Sequence, residues 1–159
     1  MDSNSFLNLM FQGDLAGVQS ALREDPSLAR GHDRLGWTPL HHAVARGDLD
    51  SAQMLLLAGA QVDAENRRKE TALFFAVIQP AALVELLLRA GANPNHTNTL
   101  GDTPLFAAGD EDAWQQAELL LKHGAQVNLR NESGQTPLHA SAASGSWQVT
   151  GLLLAHGAE

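Results

Sequence analysis

The sequence predicts an all-α fold, a solenoid of short stacked helix-turn-helix units, and three observations carry that prediction. A four-residue signature opening with threonine recurs at a fixed period. A leucine-rich signature ending in Gly-Ala follows each copy in phase. Aromatic residues make up only 5% of the 159 residues against 44% hydrophobic. The core must therefore be built from Leu, Ala and Val, which suits small helices in close contact.

The first signature is Thr38-Pro39-Leu40-His41, then Thr71-Ala72-Leu73-Phe74, Thr103-Pro104-Leu105-Phe106 and Thr136-Pro137-Leu138-His139. Its threonines lie 33, 32 and 33 residues apart. The second signature is Leu55-Leu56-Leu57-Ala58-Gly59-Ala60, repeated from Leu86, Leu119 and Leu152. Two markers repeating in phase four times define a repeat architecture, in which a unit cannot bury its apolar face alone and buries it on its neighbours.

Each unit follows the same local logic. Thr38 suits a helix N-cap, and Pro39 suits the first helical position, where a missing N–H costs nothing. A first helix is expected over about 39–46, broken by Gly47-Asp48, and a second over about 49–58. Gly59 is placed to close it in the left-handed conformation. A polar connection follows, with Gly36, Gly101 and Gly134 as turn residues. Ahead of the four clear units, 6–13 and 15–22 read as two helices split by Gly13-Asp14, with 24–28 as the turn after them.

These residues resemble the ankyrin repeat family, whose pattern is G-x-T-P-L-H-x-A near the start and L-L-x-x-G-A near the end of a 33-residue unit. The resemblance covers nearly the whole chain. It implies one domain over 1–159: a divergent first repeat at 1–32, then repeats at 33–65, 66–97, 98–130 and 131–159, joined by β-hairpin-like loops. The middle repeats depart from the pattern. The second has Ala72 for Pro, Phe74 for His and Lys69 for the turn Gly, and is one residue short at Gln79-Pro80. The third has Phe106 for His, and Asp110-Glu111-Asp112 where a Gly turn is expected. In the last helix, Thr150 and Gly151 soften the outer face, whereas Trp147 and Val149 do not.

Composition narrows function. The net charge is −8, from 10 basic and 18 acidic residues, so the chain repels nucleic acid and anionic lipid rather than displacing counterions from phosphates. With no cysteine, disulfide scaffolds and thiolate zinc sites are excluded. No run approaches the ~18 apolar residues of a membrane span. Met1 to Gly13 lacks the cationic start and apolar stretch of a signal peptide. A cytoplasmic monomer is expected.

Catalytic signatures are missing: no nucleophile elbow, zinc-protease motif or phosphate loop. The Asp110-Glu111-Asp112 cluster lacks calcium-loop spacing and reads as a solvated turn. Of seven histidines, His41 and His139 occupy the T-P-L-H position, where by resemblance the imidazole is a structural hydrogen-bonding group between loops. His123 and His156 are equivalent positions one repeat apart, and rows about 10 Å apart cannot bring both onto one zinc. Asn95 and Asn128 sit in the leucine-to-asparagine spacing that resembles an asparaginyl hydroxylation substrate; Asn also simply suits the turn.

No cofactor, metal or catalytic residue is therefore expected. The resemblance implies a non-enzymatic module that holds a protein partner through its concave face, formed by loop tips and first helices. The implied partner-binding residues are Arg34, Leu35, Trp37 and Arg46 in the first full repeat. Arg67, Arg68 and Phe75 follow in the second, with Leu100, Asp102, Asp110 and Glu111 in the third. Arginines gather in the first two repeats and acids in the third, suggesting a groove with a basic, aromatic end and an acidic end. The alternative at these positions is that Phe75 and Ile78 pack between repeats and the arginines are solvated. Two other functional classes stay open: a regulatory or targeting domain of a larger enzyme, channel or bacterial effector, and a small-ligand or metal-binding protein.

Overall fold

A computed structural model describes residues 2–159, the side chains of Ser3 and Asn4 excepted. Met1, where the first repeat is expected to begin, lies outside the described residues. Among the described residues ten α-helices follow in pairs: α1 (Ser3–Gln12) and α2 (Leu15–Glu24), α3 (Pro39–Ala45) and α4 (Leu49–Leu57), α5 (Ala72–Ala76) and α6 (Ala81–Arg89), α7 (Pro104–Asp110) and α8 (Trp114–Lys122), α9 (Pro137–Ala143) and α10 (Trp147–Ala155). A 3₁₀ turn spans Pro26–Arg30, and the described residues contain no strand.

Two layers result. The first helices α3, α5, α7 and α9 pack in series, and the second helices α2, α4, α6, α8 and α10 pack in series behind them. Equivalent leucines form the rows between: Leu40, Leu73 and Leu105 from the first signature, Leu55, Leu87, Leu120 and Leu153 from the second, all at most 1% exposed. Burying each such leucine stabilises the stack by roughly 1.5–3 kcal/mol.

Helix starts follow the capping chemistry. Thr103 Oγ1 accepts from the Phe106 amide at 3.1 Å, and Asp48 Oδ1 accepts from the Ser51 amide at 3.0 Å. His41 completes the Thr38 cap: its Nδ1 lies 2.8 Å from Thr38 Oγ1, and its Nε2 lies 3.0 Å from the Glu70 carbonyl of the next loop. The structural role expected of His41 is thus present. His139 repeats the internal half, with Nδ1 2.8 Å from Thr136 Oγ1.

The loops are hairpin-like without being strands. In each, an Asp or Asn side chain accepts two backbone amides: Asp33 from Leu35 and Trp37, Asn66 from Arg68 and Glu70, Asn98 from Leu100 and Asp102, Asn131 from Ser133 and Gln135. Adjacent loops are tied by one backbone bond each, from the amides of Arg67, Thr99 and Glu132 to the carbonyls of Leu35, Arg68 and Leu100. Behind them, Asn95 bonds Gly124 and Gln126, and Asn128 bonds Gly157 and Glu159.

The departures from the repeat pattern have local solutions. Lys69 adopts the turn glycine's left-handed conformation at φ 56°, and Asp112 does the same at φ 53°. The shortened Gln79-Pro80 turn is stitched to its neighbours: Gln79 Nε2 donates to the Ala45 carbonyl, and Gln116 Nε2 donates to the Gln79 carbonyl. Phe74 cannot replace histidine's hydrogen bonds, and Thr71 Oγ1 is left buried without a partner.

Three sequence expectations need correction. The first helix starts at Ser3 rather than Phe6, because Asp2 caps it by accepting the Ser5 amide. Part of the expected turn at 24–28 is the 3₁₀ helix, which buries Leu28 and Ala29. In α10, Val149 turns into the core at 0% exposure, so Trp147 stands out at 75% with Leu154.

Candidate functional site

The loop tips and first helices form one continuous face, and most of the expected contact residues lie on it. Arg34, Leu35, Arg67, Arg68 and Leu100 project from the tips and are exposed. Backbone bonds between adjacent loops fix their order, so Leu35, Arg68 and Leu100, equivalent positions of successive repeats, form a row. Ile78, in the turn after α5, adds a further apolar side chain at 59% exposure.

An aromatic cluster sits behind this row. Trp37 and Phe75 are half-buried against each other, ring centroids 4.5 Å apart. His42 lies 5.2 Å from Trp37 and meets the Phe11 edge at 5.4 Å. Arg46 reaches back to α1, its guanidinium 5.5 Å above the Phe11 ring and its Nη2 donating to the Phe11 carbonyl. Phe75 thus packs between repeats, as the alternative reading supposed, while Ile78 remains open to solvent. Sequence reasoning missed Phe11 and His42. Aligning Gly13 with Gly47 would have placed Phe11 at the position of Ala45 and revealed the extra aromatic ring.

Asp33 anchors the cluster. It accepts the Leu35 and Trp37 amides, and its Oδ2 lies 3.1 Å from His42 Nε2. Burial works to raise its carboxyl, but the hydrogen bonds from Trp37, Leu35 and His42 outweigh it and hold the pKa below the usual value. His41, behind Trp37, is shifted the other way: burial disfavours the imidazolium, and its pKa is lowered.

The acidic end is less free than the sequence suggests. Asp102 Oδ1 accepts from Asn131 Nδ2 at 2.8 Å, and Asp110 Oδ1 accepts from Ser144 Oγ at 2.7 Å. Both acids help to tie repeats together. Glu111 and Asp112 are exposed and line, with Ile78 and Trp114, a shallow cleft of about 370 Å³. Arg68 pairs loosely with Glu70 at 4.0 Å.

Of the remaining histidines, His96 pairs with Glu65 at 3.2 Å and His123 with Glu85 at 3.5 Å, while His32 and His156 meet the backbone carbonyls of Asp33 and Leu152. Among the described residues, no helix is long and apolar enough to cross a membrane.

Comparison with known proteins agrees with this geometry. A family model described as ankyrin repeats (3 copies) matches residues 7–98 and 73–159. Human Rabankyrin-5 is 36% identical over 100 residues, covering 53% of this chain and 9% of that protein. The rice E3 ubiquitin-protein ligase XB3 is 40% identical over 96 residues, covering 58% of this chain and 21% of its own length. The mouse B-cell lymphoma 3 protein homolog is 39% identical over 88 residues, covering 51% of this chain and 20% of its own. The match thus spans about a fifth or less of each of these relatives.

Proposed function

Because the chain belongs to the ankyrin repeat family, we propose that it is a non-enzymatic binding module, holding a protein partner on the concave face made by its loop tips and first helices. Ankyrin repeats are generally protein–protein interaction modules; the partner's identity, the face it uses, a monomeric state and a cytoplasmic setting belong to this proposal. The activities named in relatives, ubiquitin ligation among them, are those proteins' own.

One observation carries the reading. Leu35 and Leu100, 60% and 62% exposed, stand in one row at the loop tips beside the Trp37–Phe75 pair, with Ile78 below. Large aliphatic side chains held in water on rigid loops cost solvation unless something covers them. Their rigid surround of Trp and Arg has the composition of an interface centre.

The test is capture from source-cell lysate by the wild type, by a Leu35→Glu, Leu100→Glu double variant, and by Leu57→Glu on the opposite face. Leu57 is 82% exposed, so that change controls for charge and exposure. A protein held by wild type and the Leu57 variant, and lost by the double variant, supports the reading. Equal retention by all three removes the loop face from consideration.

A further inference from the structure

The molecule's basic residues are distributed unevenly. With 10 Lys and Arg against 18 Asp and Glu, the average surface repels anions. Yet Arg30, Arg34 and Arg67 line one cleft of about 530 Å³ at the base of the first two full-repeat loops. Arg34 and Arg67 are equivalent positions of adjacent loops, so their backbones stand one repeat apart, about 10 Å. The Arg67 amide donates to the Leu35 carbonyl at 3.0 Å, and a Cβ on Gly36 would lie 3.1 Å from the Arg67 nitrogen. The two loops touch, which fixes the spacing of the two arginines.

Both acids that line the cleft are engaged elsewhere. Asp33 takes the Leu35 and Trp37 amides and faces His42. Glu65 faces His96 at 3.2 Å. The Arg34 and Arg67 guanidiniums make no hydrogen bond or ion pair with any described residue. Arg30 commits its Nε to the Gly59 carbonyl at 3.1 Å, which orients the group while its terminal nitrogens stay available. Three guanidiniums around one cleft outnumber its two carboxylates, Asp33 and Glu65, and present up to about fourteen unclaimed N–H donors to an anion. Each guanidinium carries about five donors in a planar fork that matches oxyanion geometry.

We propose that this cleft is an oxyanion site that receives a phosphorylated side chain of the protein partner; the partner half of the statement rests on the function proposed above. A phosphoryl group supplies about −1.5 to −2 charge and three acceptor oxygens, against −1 and two for a carboxylate, and so matches a cleft lined by three arginines better. A nucleic-acid backbone does not match. Its phosphates continue beyond the cleft, where a chain of net charge −8 opposes an extended phosphate contact.

The test uses the full chain with two probes. In the first, the amide spectrum is titrated with inorganic phosphate against chloride at equal ionic strength. In the second, binding is measured to degenerate peptide libraries with phosphoserine, glutamate or serine fixed at the centre. The proposal expects phosphate to shift the Arg34 and Arg67 amides, and the phosphoserine library to bind at least about tenfold more tightly than the serine library. Arg34→Gln with Arg67→Gln should abolish that preference. Arg23→Gln with Lys122→Gln, an equal loss of charge away from the cleft, should keep it, with thermal unfolding confirming that both variants fold. Phosphate shifts without a phosphopeptide preference would overturn the phosphorylated-side-chain assignment and leave a small-anion cleft. No shift and no preference would overturn the site itself, while the Leu35 and Leu100 experiment judges the protein-partner reading separately.

Discussion

His41 does at one position what several residues do elsewhere. Its Nδ1 completes the cap at Thr38, and its Nε2 reaches the Glu70 carbonyl of the next loop. The contrast with the second repeat shows what is lost without it: Phe74 leaves Thr71 Oγ1 buried and bare. Replacing His41 by Phe should therefore cost about 1–3 kcal/mol, the desolvation penalty of orphaned buried polar groups. The same change at exposed His139, which bonds only within its own cap, should cost less. Denaturant unfolding of the two variants checks the ordering.

The same histidine makes stability depend on pH. Its pKa in the folded chain is lowered by burial from the ordinary histidine value, so the unfolded chain binds the proton more readily. Its contribution is fully present above about pH 6.5. It declines as pH falls below that, by at most about 1.4 kcal/mol per pH unit, and levels off below the folded pKa. Unfolding curves at pH 7.5 and 5.5 should show a smaller acid loss in the His41→Phe variant than in wild type.

At the scale of the element, the helix starts differ in quality. α2 and α4 begin at Asp14 and Asp48, each accepting an amide of the first turn, whereas α8 begins at Ala113 with no side-chain cap. The backbone is the same in kind, φ −86° and ψ 65° at Ala113 against −84° and 88° at Asp48. Ser146, the equivalent position of α10, makes no cap bond, so Ala113→Asp, the residue that caps α2 and α4, should supply the missing acceptor and stabilise by about 0.5–2 kcal/mol, read as a raised unfolding midpoint. The approach of α7 to α9 is the opposite case, already at its limit. A Cβ on Gly109 would lie 2.9 Å from the Pro137 carbonyl oxygen and 3.3 Å from the Ser141 nitrogen. Both are backbone atoms that cannot swing aside, so Gly109→Ala should destabilise by about 1–3 kcal/mol through the forced separation of the two helices.

Across the whole molecule, each pair of helices leans only on its neighbours, so the middle of the stack carries the coupling between the ends. Leu87 is fully buried in α6, where Leu→Ala costs about 2–5 kcal/mol. In a one-dimensional array such a loss also weakens the link between the flanking units. The Leu87→Ala variant should show faster amide exchange in α5 and α6 than in α9 and α10, and a broader unfolding transition than wild type. The proposed binding surface is likewise a property of the array. No single repeat holds the cleft of Arg30, Arg34 and Arg67 or the row of Leu35, Arg68 and Leu100.

The sequence alone determined the helix pairs and their order, because capping, turn glycines and leucine rows are local chemistry written at a fixed period. It also marked the tip residues Arg34, Leu35, Arg67, Arg68 and Leu100, since equivalent positions in a solenoid line up by construction. Whether those side chains are free was decided only by tertiary structure. Asp102 and Asp110 read as an acidic end, yet each bonds a residue of the following repeat. Val149 reads as outward and turns inward, while Phe11 joins Trp37 and His42 across two repeats. Periodicity fixes where a backbone position falls. Which partner a side chain meets depends on the neighbouring repeat's own departures from the pattern, and those contacts join residues about 30 positions apart, the distance of one repeat.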